Sequence, residues 1–254
     1  MSGGRLDIIG LGPGAADLQC PRATQALHQA TDLLGYLPYV QRVQAHPEQC
    51  VHASDNREEI LRARHALQLA ADGRQVAVVS AGDAGVFGMA AAVFEALEQG
   101  DLQWRELPIQ VHPGISAVLA VAARLGAPLG NDFCVISLSD NLKPWTVIEH
   151  RVAHAAQAGL VMALYNPISQ SRPWQLGSTF ALLRRHLPAS VPVIFARAIS
   201  REDEAVLVTS LQDAQPEQAD MRTLVLIGTA ETRCLERPDG GAWVYTPRSV
   251  GGGL

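Results

Sequence analysis

Short apolar runs alternate with helical patterns along the chain, and this alternation constrains the fold more than any other feature. In the first half the apolar runs are "LDIIGLG", "DLLGY", "QVAVVS" and "IQVH", and helical patterns follow Pro21, Asp55, Gly85 and Pro113. Strands that alternate with helices in this way form a mainly parallel sheet. The first half is therefore predicted to be an α/β domain.

The helix after Asp55 has the clearest signals. Asp55 can cap it and Glu58 follows three residues later, as in a capping box. Apolar residues then recur on a helical period until Gly73, at Ile60, Leu61, Leu67 and Leu69. A long amphipathic helix is expected here.

A second alternation begins after the glycine- and proline-containing stretch "GAPLGND" at residues 126–132, which is predicted to be a linker. The runs "FCVIS", "LVMALY", "VPVIFA", "AVLVT" and "TLVLIG" supply the strands of another sheet, with helices from Pro144 and Pro173. We therefore expect two α/β domains, at residues 1–125 and 126–254, ending in a frayed "GGGL" tail.

Composition and charge narrow the possible functions. The net charge of -5 disfavours general nucleic-acid binding, which usually needs a basic face. No apolar run approaches the ~18 residues of a membrane span, and the N-terminus shows no leader pattern. The four cysteines stand singly, so neither a zinc knuckle nor a disulfide framework is indicated. These features predict a cytoplasmic chain without nucleic-acid or membrane partners.

The stretch "IIGLGPGAADL" leaves several interpretations open. Gly10, Gly12 and Ala15 match the spacing of a dinucleotide-binding loop, but the first helical pattern begins only at Pro21. Asp32 lies at about the right separation, yet it precedes an apolar run instead of following one. No Gly-Lys-Ser/Thr follows, which disfavours a P-loop. A strand-ending turn without a ligand is the simplest alternative.

Ligands of open α/β sheets collect at the carboxyl ends of strands, and those positions are rich in glycine here. "AGDAGVFGM" places Asp83 at a strand-to-helix junction, where it could cap a helix or face a ligand. "HPGISA" carries Gly114 and Ser116, and "YNPISQSRPW" carries Asn166 before a proline. These segments are the candidate site.

The same segments carry a family resemblance. "GLGPGAADL", "SAGDAGVFGMA", "VHPGISAVLAVAARLGAPL", "LYNP" and "MRTLVLIGTAETR" resemble the tetrapyrrole methylase superfamily in order and spacing. The resemblance implies two α/β domains with a cleft between them that binds S-adenosylmethionine, and a homodimer. "GYLPYV", "SDNREEILRARHALQLA", "DFCVISLSDNLKPW" and "YNPISQSRPWQLG" are similar to the branch that methylates a precorrin of the cobalamin pathway.

The resemblance also implies particular site residues, carried over position by position. The implied cofactor contacts are Leu11, Gly12, Pro13, Gly82, Asp83, Val86, Ser116, Ala117, Asn166, Arg197, Ala198 and Thr223. The candidate substrate contacts, taken from polar positions of the branch-specific blocks, are Ser54, Asp55, Arg57, Asn141 and Lys143. Asp55 as a helix cap and Lys143 as a solvated loop residue are the alternatives.

The implied reaction is methylation of C17 of precorrin-3B with ring contraction to precorrin-4. Methyl transfer from a sulfonium needs alignment and exclusion of water and no protein nucleophile, which agrees with the lack of a recognisable Ser-His-Asp or Cys-His arrangement. Ring contraction makes a general acid or base plausible, and none is assigned. The alternatives are a cobalt-factor III methyltransferase, a protein or RNA methyltransferase, and a cofactor-binding regulatory module without turnover.

His150 and His154 stand at i and i+4, as metal-binding helix pairs do. The glutamate of an H-E-x-x-H motif is absent, because Arg151 occupies its place. Both histidines are expected on the exposed face of their helix, and no metal is assigned.

Overall fold

A computed structural model describes residues 3–249, without the side chain of Asn56. The "GGGL" tail, which was expected to fray, lies outside these residues. The chain divides into two compact units, Met1–Ala117 and Val118–Leu254. Helix α5 (Ala117–Leu125) belongs with unit 2 from Val118 onward, because Val121 and Leu125 pack with Ile194 and Leu226 of that unit. The predicted boundary after residue 125 had left this helix in the first domain.

Unit 1 contains a five-stranded parallel sheet, as its alternating pattern predicts. The strands have the order β3-β2-β4-β1-β5. They are β1 (Arg5–Gly10), β2 (Asp32–Tyr36), β3 (Cys50–Ser54), β4 (Gln75–Ser80) and β5 (Ile109–His112). The helices are α1 (Pro21–Gln29), α2 (Leu37–Val40), α3 (Glu59–Ala71) and α4 (Met89–Gln99), with short 3-10 turns at Ala16–Leu18, Asn56–Glu58 and Leu102–Glu106.

Helices cover both faces of this sheet. Leu6 and Ile8 of β1 pack with the buried alanines of α3 and α4, whereas Ile9 packs with Ala23 and Leu27 of α1. A sheet that is buried on both faces has apolar residues in continuous runs, which is why its central strands could be recognised in the sequence.

Helix α3 confirms the predicted helix but changes its buried face. The Glu58 carboxylate accepts the Asp55 backbone N–H at 3.1 Å, which is one half of the expected capping box. Leu61 is 65% exposed, although its spacing suggested a place in the core. Leu67 is buried, as its spacing suggested, and the rest of the buried face carries Arg62, Ala63, Ala66 and Ala70. The short alanines let the helix lie close to the sheet.

Unit 2 contains a five-stranded mixed sheet with the order β10-β9-β11-β8-β7. Its strands are β7 (Phe133–Ser137), β8 (Val161–Tyr165), β9 (Pro192–Arg197), β10 (Ala205–Ser210) and β11 (Thr223–Ile227). Strands β7 and β8 are parallel, and β11 runs antiparallel to both β8 and β9. Helices α6 (Trp145–Gln157) and α7 (Gln175–Leu183) and a 3-10 turn at Pro216–Gln218 complete this layer.

A small second sheet corrects the predicted linker. Strand β6 (Gly126–Ala127) pairs with β13 (Ala242–Tyr245), which also pairs with β12 (Arg233–Glu236). The Thr246 hydroxyl donates to the Pro128 carbonyl at 2.7 Å. Residues predicted to form a linker are therefore a paired part of unit 2. Within residues 3–249, no helix is long and apolar enough to cross a membrane.

Candidate functional site

Three loops follow three neighbouring strands at the carboxyl edge of the unit 1 sheet. They begin after β4, β1 and β5, which lie side by side in that order. Gly12 and Gly82 exchange two backbone hydrogen bonds, at 3.1 and 2.9 Å. Both have a left-handed backbone, with φ of 70° and 64°, which glycine adopts without strain. The turn "GLGPG" is thus joined to the loop that contains Asp83.

The three loops meet through glycines that have no room for a side chain. A Cβ atom on Gly114 would lie 2.1 Å from the Gly82 carbonyl oxygen, and one on Gly10 would lie 2.8 Å from the Gly114 nitrogen. The neighbouring atoms belong to backbone, so they cannot swing away as a flexible side chain could. The glycines therefore serve close approach of three backbones, and the dinucleotide interpretation is not needed to explain them.

Asp83 joins two of the loops through its carboxylate. One oxygen accepts the Gly85 backbone N–H at 2.8 Å, and the other accepts the Gly114 backbone N–H at 2.9 Å. The carboxylate is half-buried. Asp83 is therefore neither an ordinary helix cap nor a freely rotating surface acid, and its orientation is fixed.

The structure gathers the eight implied cofactor residues of unit 1 on these loops. A Cβ atom on Gly82 would lie 3.6 Å from the Ser116 Cα and 3.8 Å from the Ala117 nitrogen, which shows how closely the second and third loops pass. The eight are Leu11, Gly12, Pro13, Gly82, Asp83, Val86, Ser116 and Ala117, and Asp83 is the charged member. Small and apolar groups around one fixed carboxylate suit a nucleoside that donates hydroxyl groups and carries a positive charge.

Arg42 supports the first loop and was missed by the sequence analysis. Its Nη2 atom donates to the Leu11 carbonyl at 3.2 Å and to the Gly12 carbonyl at 3.0 Å. A guanidinium can donate to two carbonyls at once and so fix the path of a turn. Arg42 stands outside every motif that the sequence analysis singled out, so no signal pointed to it.

The four implied cofactor residues of unit 2 lie at one edge of that unit's sheet. Thr223 pairs with Arg197 in the ladder between β11 and β9. Val225 pairs with Leu164 in the ladder between β11 and β8, so continuing that register places Asn166 beside Thr223. Ala198 follows Arg197 directly, and its N–H donates to the Arg222 carbonyl at 3.0 Å.

Several implied cofactor residues, or their neighbours in sequence, have a strained backbone conformation with positive φ. Four non-glycine residues of the described chain have positive φ, namely Phe87, Asn166, Ala198 and Ser200. Asn166 and Ala198 are implied cofactor residues, and Phe87 follows Val86, another of them. Such conformations cost roughly 1–3 kcal/mol each and concentrate at ligand sites, so their occurrence here favours a functional role for these loops.

Arg197 is engaged by two carboxylates. Its Nε donates to Asp220 at 2.6 Å and its Nη1 donates to Asp203 at 2.9 Å. The Arg222 guanidinium, together with Arg197, lowers the pKa of Asp203 from 3.8 to about 2. Arg197 is therefore already paired with two carboxylates, which neutralise its charge. Its contact with a cofactor stays a prediction.

The candidate substrate residues form one group in each unit. Ser54 is the last residue of β3, and Asp55 and Arg57 follow it at the carboxyl edge of the unit 1 sheet. The Arg62 guanidinium donates to the Ser54 Oγ at 2.8 Å and to the Asp55 carbonyl at 2.6 Å. Arg57 is exposed.

Asn141 and Lys143 follow β7 in unit 2. Burial, with the nearby Arg151 guanidinium, lowers the pKa of the Lys143 ammonium. Lys143 is thus not the fully solvated loop residue of the alternative interpretation. Asn141 is exposed.

A polar cluster around Asn166 lies at the same edge of unit 2 and contains four residues that were not among the candidates: Ser137, Asp140, Arg172 and Gln175. The Gln175 amide, which is 1% exposed, donates to both carboxylate oxygens of Asp140 at 3.1 and 3.2 Å. The Asn166 amide donates to the Ser137 Oγ at 3.0 Å, and the Arg172 Nη1 donates to the Asn166 carbonyl at 3.0 Å. All of them come from "SLSDNLKPW" and "YNPISQSRPWQLG", so the two motifs pointed to this region, but Asn166 was the only member of the cluster named from the sequence.

The histidine pair of α6 is exposed, as predicted. The two rings lie 4.0 Å apart, and the His154 Nδ1 hydrogen-bonds to the His150 carbonyl at 2.8 Å. Among residues 3–249 no three His, Cys, Asp or Glu side chains form a group that could hold a metal ion.

A hollow of about 590 Å³ elsewhere in unit 1 does not coincide with the glycine loops. Its lining includes Thr31 and Gln49, the residues just before β2 and β3. It therefore lies at the amino edge of the parallel sheet, opposite the edge where the loops meet. We assign it no role in the reaction.

Comparison with known proteins is consistent with this arrangement. A family model described as Tetrapyrrole (Corrin/Porphyrin) Methylases matches residues 5–215. The chain is 54% identical over 249 residues to a precorrin-3B C(17)-methyltransferase of Sinorhizobium sp., covering 98% of each protein. It is 39% identical over 228 residues to a probable cobalt-factor III C(17)-methyltransferase of Salmonella typhimurium, covering 89% of this chain and 93% of that one.

The fold agrees with a solved relative. The crystal structure of the methyltransferase CobJ is 50% identical to the chain, covers 96% of it and superposes with a TM-score of 0.92. The predicted α/β fold of this superfamily is confirmed. The chain belongs to the tetrapyrrole (corrin/porphyrin) methylase family.

Proposed function

We propose that this chain methylates C17 of precorrin-3B with S-adenosylmethionine, with ring contraction to precorrin-4, in cobalamin biosynthesis. The observation that carries the proposal is the meeting of three glycine loops around the fixed Asp83 carboxylate. It occurs in a chain that is 54% identical, over 98% of its length, to a precorrin-3B C(17)-methyltransferase. The four cysteines form no disulfide bonds, which suits a reducing compartment, so we propose that the enzyme is cytoplasmic.

For the cofactor, we propose contacts from the eight unit 1 residues described above and from Asn166, Arg197, Ala198 and Thr223 of unit 2. Each Asp83 oxygen accepts one backbone N–H and retains acceptor capacity for a ribose hydroxyl. The eight residues contribute no positive side chain, which favours a sulfonium cation. The cofactor supplies the methyl group and leaves as a neutral thioether.

For the substrate, we propose contacts from Ser54, Asp55, Arg57, Asn141 and Lys143. Precorrin-3B is rich in carboxylates, and serine hydroxyls, guanidinium groups and a lysine ammonium are suitable donors to them. The protein's task is to hold the acceptor carbon in line with the methyl group and to exclude water. No residue is assigned as a general acid or base.

A second candidate is the cobalt-dependent reaction, because the chain is also 39% identical to a probable cobalt-factor III C(17)-methyltransferase. The higher identity to the precorrin-3B enzyme favours the metal-free substrate. A cobalt-containing macrocycle brings its own metal, so the protein needs no separate metal site for either reaction.

Parallel incubations distinguish these candidates. The purified protein is given S-adenosylmethionine labelled in the methyl group and either metal-free precorrin-3B or cobalt-factor III, and products are followed by mass and absorption. We expect labelled precorrin-4 from the metal-free substrate. Methylation of the cobalt compound alone would overturn the substrate assignment, and cofactor binding without transfer to either would favour a regulatory module.

A further inference from the structure

Arg62 is a buried cation in an unusual setting. It lies on α3 and is 5% exposed. Among residues 3–249 it forms no ion pair within 4.0 Å, and the carboxylates of Glu59, Glu58 and Asp55 favour its charge from beyond that distance. Desolvation lowers the pKa of its guanidinium. Its hydrogen bonds and the nearby carboxylates therefore have to offset the cost of burying its charge.

One side of the guanidinium holds the segment after β3. Its Nε donates to the Ser54 Oγ at 2.8 Å, and its Nη2 donates to the Asp55 carbonyl at 2.6 Å. These two bonds fix both the Ser54 hydroxyl oxygen and the backbone beside it. Because that oxygen already accepts an N–H, the hydroxyl proton is left to donate to another group.

The other side of the guanidinium contacts the base of the loop that contains Asp83. Its Nη1 lies 3.2 Å from the sulfur of Met89, the first residue of α4. The Met89 backbone N–H donates to the Ser80 Oγ at 2.9 Å, and Ser80 is the last residue of β4. This bond joins the two ends of the loop at residues 81–88, so Arg62 touches the base of the cofactor loop and the substrate segment together.

We propose that Arg62 is a positioning residue, which fixes the Ser54 hydroxyl as a hydrogen-bond donor to a carboxylate of the tetrapyrrole and sets its place relative to the cofactor loop. This inference rests on the proposed function. Lysine is a poor substitute, because a single ammonium cannot reproduce the geometry of the guanidinium fork on a hydroxyl, a carbonyl and a sulfur. Methionine has similar length and is apolar, so it can fill the space without a buried charge.

A positioning role and a purely stabilising role of Arg62 lead to different measurable effects. Replacing Arg62 by an apolar residue of similar length removes the cost of a buried charge, and the Ser54 hydroxyl and Asp55 carbonyl, which are not buried, can bond to water instead. A purely structural Arg62 would act through stability alone. A positioning Arg62 would act on the Michaelis constant for the tetrapyrrole while the protein stays folded.

The test compares Arg62→Met with Arg64→Met, a matched control at an exposed position of the same helix. For each we measure thermal unfolding, the Kd of S-adenosylmethionine by calorimetry, and the KM and kcat for methylation of precorrin-3B. Arg62→Met is expected to keep its fold and to raise the KM for the tetrapyrrole about ten-fold, because the Ser54 hydroxyl is no longer held in place to donate to a substrate carboxylate. Arg64→Met is expected to match wild type, and Arg62→Lys to lie between the two.

Ser54→Ala and the double variant complete the experiment. Ser54→Ala alone is expected to raise the same KM about ten-fold, and the double variant is expected to add little, because both changes remove one interaction. Equal KM values for the Arg62→Met and Arg64→Met enzymes, or multiplicative effects in the double variant, would overturn the inference. If Arg62→Met does not fold, a wild-type KM in Ser54→Ala overturns it alone. A wild-type protein that leaves precorrin-3B unmethylated would overturn the proposed function and this inference with it.

Discussion

At the scale of one residue, Asp83, which we propose as a cofactor contact, already has a structural role. Its two oxygens hold the Gly85 and Gly114 backbones before any ligand binds. A carboxylate held in this way loses little conformational entropy when it accepts a further donor. Preorganisation of this kind is what we expect of a residue that meets the cofactor directly.

We predict that Asp83→Ala weakens binding of S-adenosylmethionine at least ten-fold, because it removes both the acceptor and the bond between two loops. Calorimetric titration of the two proteins measures the difference. The matched control is Asp101→Ala, since Asp101 also accepts a backbone N–H, from Gln103 at 2.9 Å, at a 3-10 turn away from the loops. Equal cofactor affinities in folded Asp83→Ala and wild type would remove Asp83 from the site.

At the scale of elements, the loops depend on how closely the carboxyl ends of β1, β4 and β5 approach. That approach is set by backbone atoms at Gly10, Gly82 and Gly114. Side-chain volume, which usually sets the spacing of packed elements, plays no part at this point. The separation of the loops therefore changes only if the strands themselves move.

We predict that Gly114→Ala lowers the free energy of unfolding by about 2–3 kcal/mol, because its Cβ would lie 2.1 Å from a backbone oxygen that cannot rotate away. Urea denaturation measures the change. The control is Gly177→Ala within α7, where the nearest atom to the new Cβ is 3.7 Å away and alanine favours the helix. A Gly114→Ala protein as stable as the control would show that the loops do not meet as described.

Elements with continuous apolar runs could be predicted from the sequence, and polar elements could not. Strands β1 and β4 are buried on both faces, so their runs are unmistakable. Strand β3 lies at the edge of its sheet and carries exposed or half-buried residues, so "CVHAS" gave no clear pattern. Strand β12 is exposed along its whole length, and the pairing of β6 with β13 joins segments distant in sequence.

Candidate site residues also fall into two groups: those that could be named from the sequence and those that only the structure reveals. Residues within the quoted motifs, such as Asp83 and Ser116, could be named from the sequence because the family resemblance supplied them. Arg42 and Arg62 act through contacts with segments far along the chain, at Leu11 and Met89 respectively. Neither contact leaves a local pattern, so a structure was required to find them.

At the scale of the whole molecule, each unit has its own apolar core. Leu67 and Val93 belong to a cluster of unit 1, whereas Phe180 and Met162 belong to a cluster of unit 2. Each unit also presents its candidate residues at one edge of its own sheet. The division into two α/β parts follows the alternation read from the sequence, and its position differs because α5 packs with unit 2.

We predict that the protein is a homodimer, which follows from the family resemblance. Light scattering should give a mass of twice the chain's 27.2 kDa at micromolar concentration. Strand β10 offers some physical support, because this edge strand carries Val206 and Leu207 at 36% and 44% exposure. Exposed edge strands with apolar side chains are usually covered or paired in native proteins, and a second copy of the chain could cover this one. A monomer mass across a dilution series would defeat the prediction.

The glycine contacts have a genetic consequence. A clash in a protein core can often be relieved by a second mutation that shortens the neighbouring side chain. Gly10 and Gly114 already lack side chains, and the atoms that a new Cβ would meet belong to the backbone of Gly82 and of each other. No partner can become smaller, so substitutions at these positions have no local suppressor, and reversion is the simplest route by which a selected population would recover function.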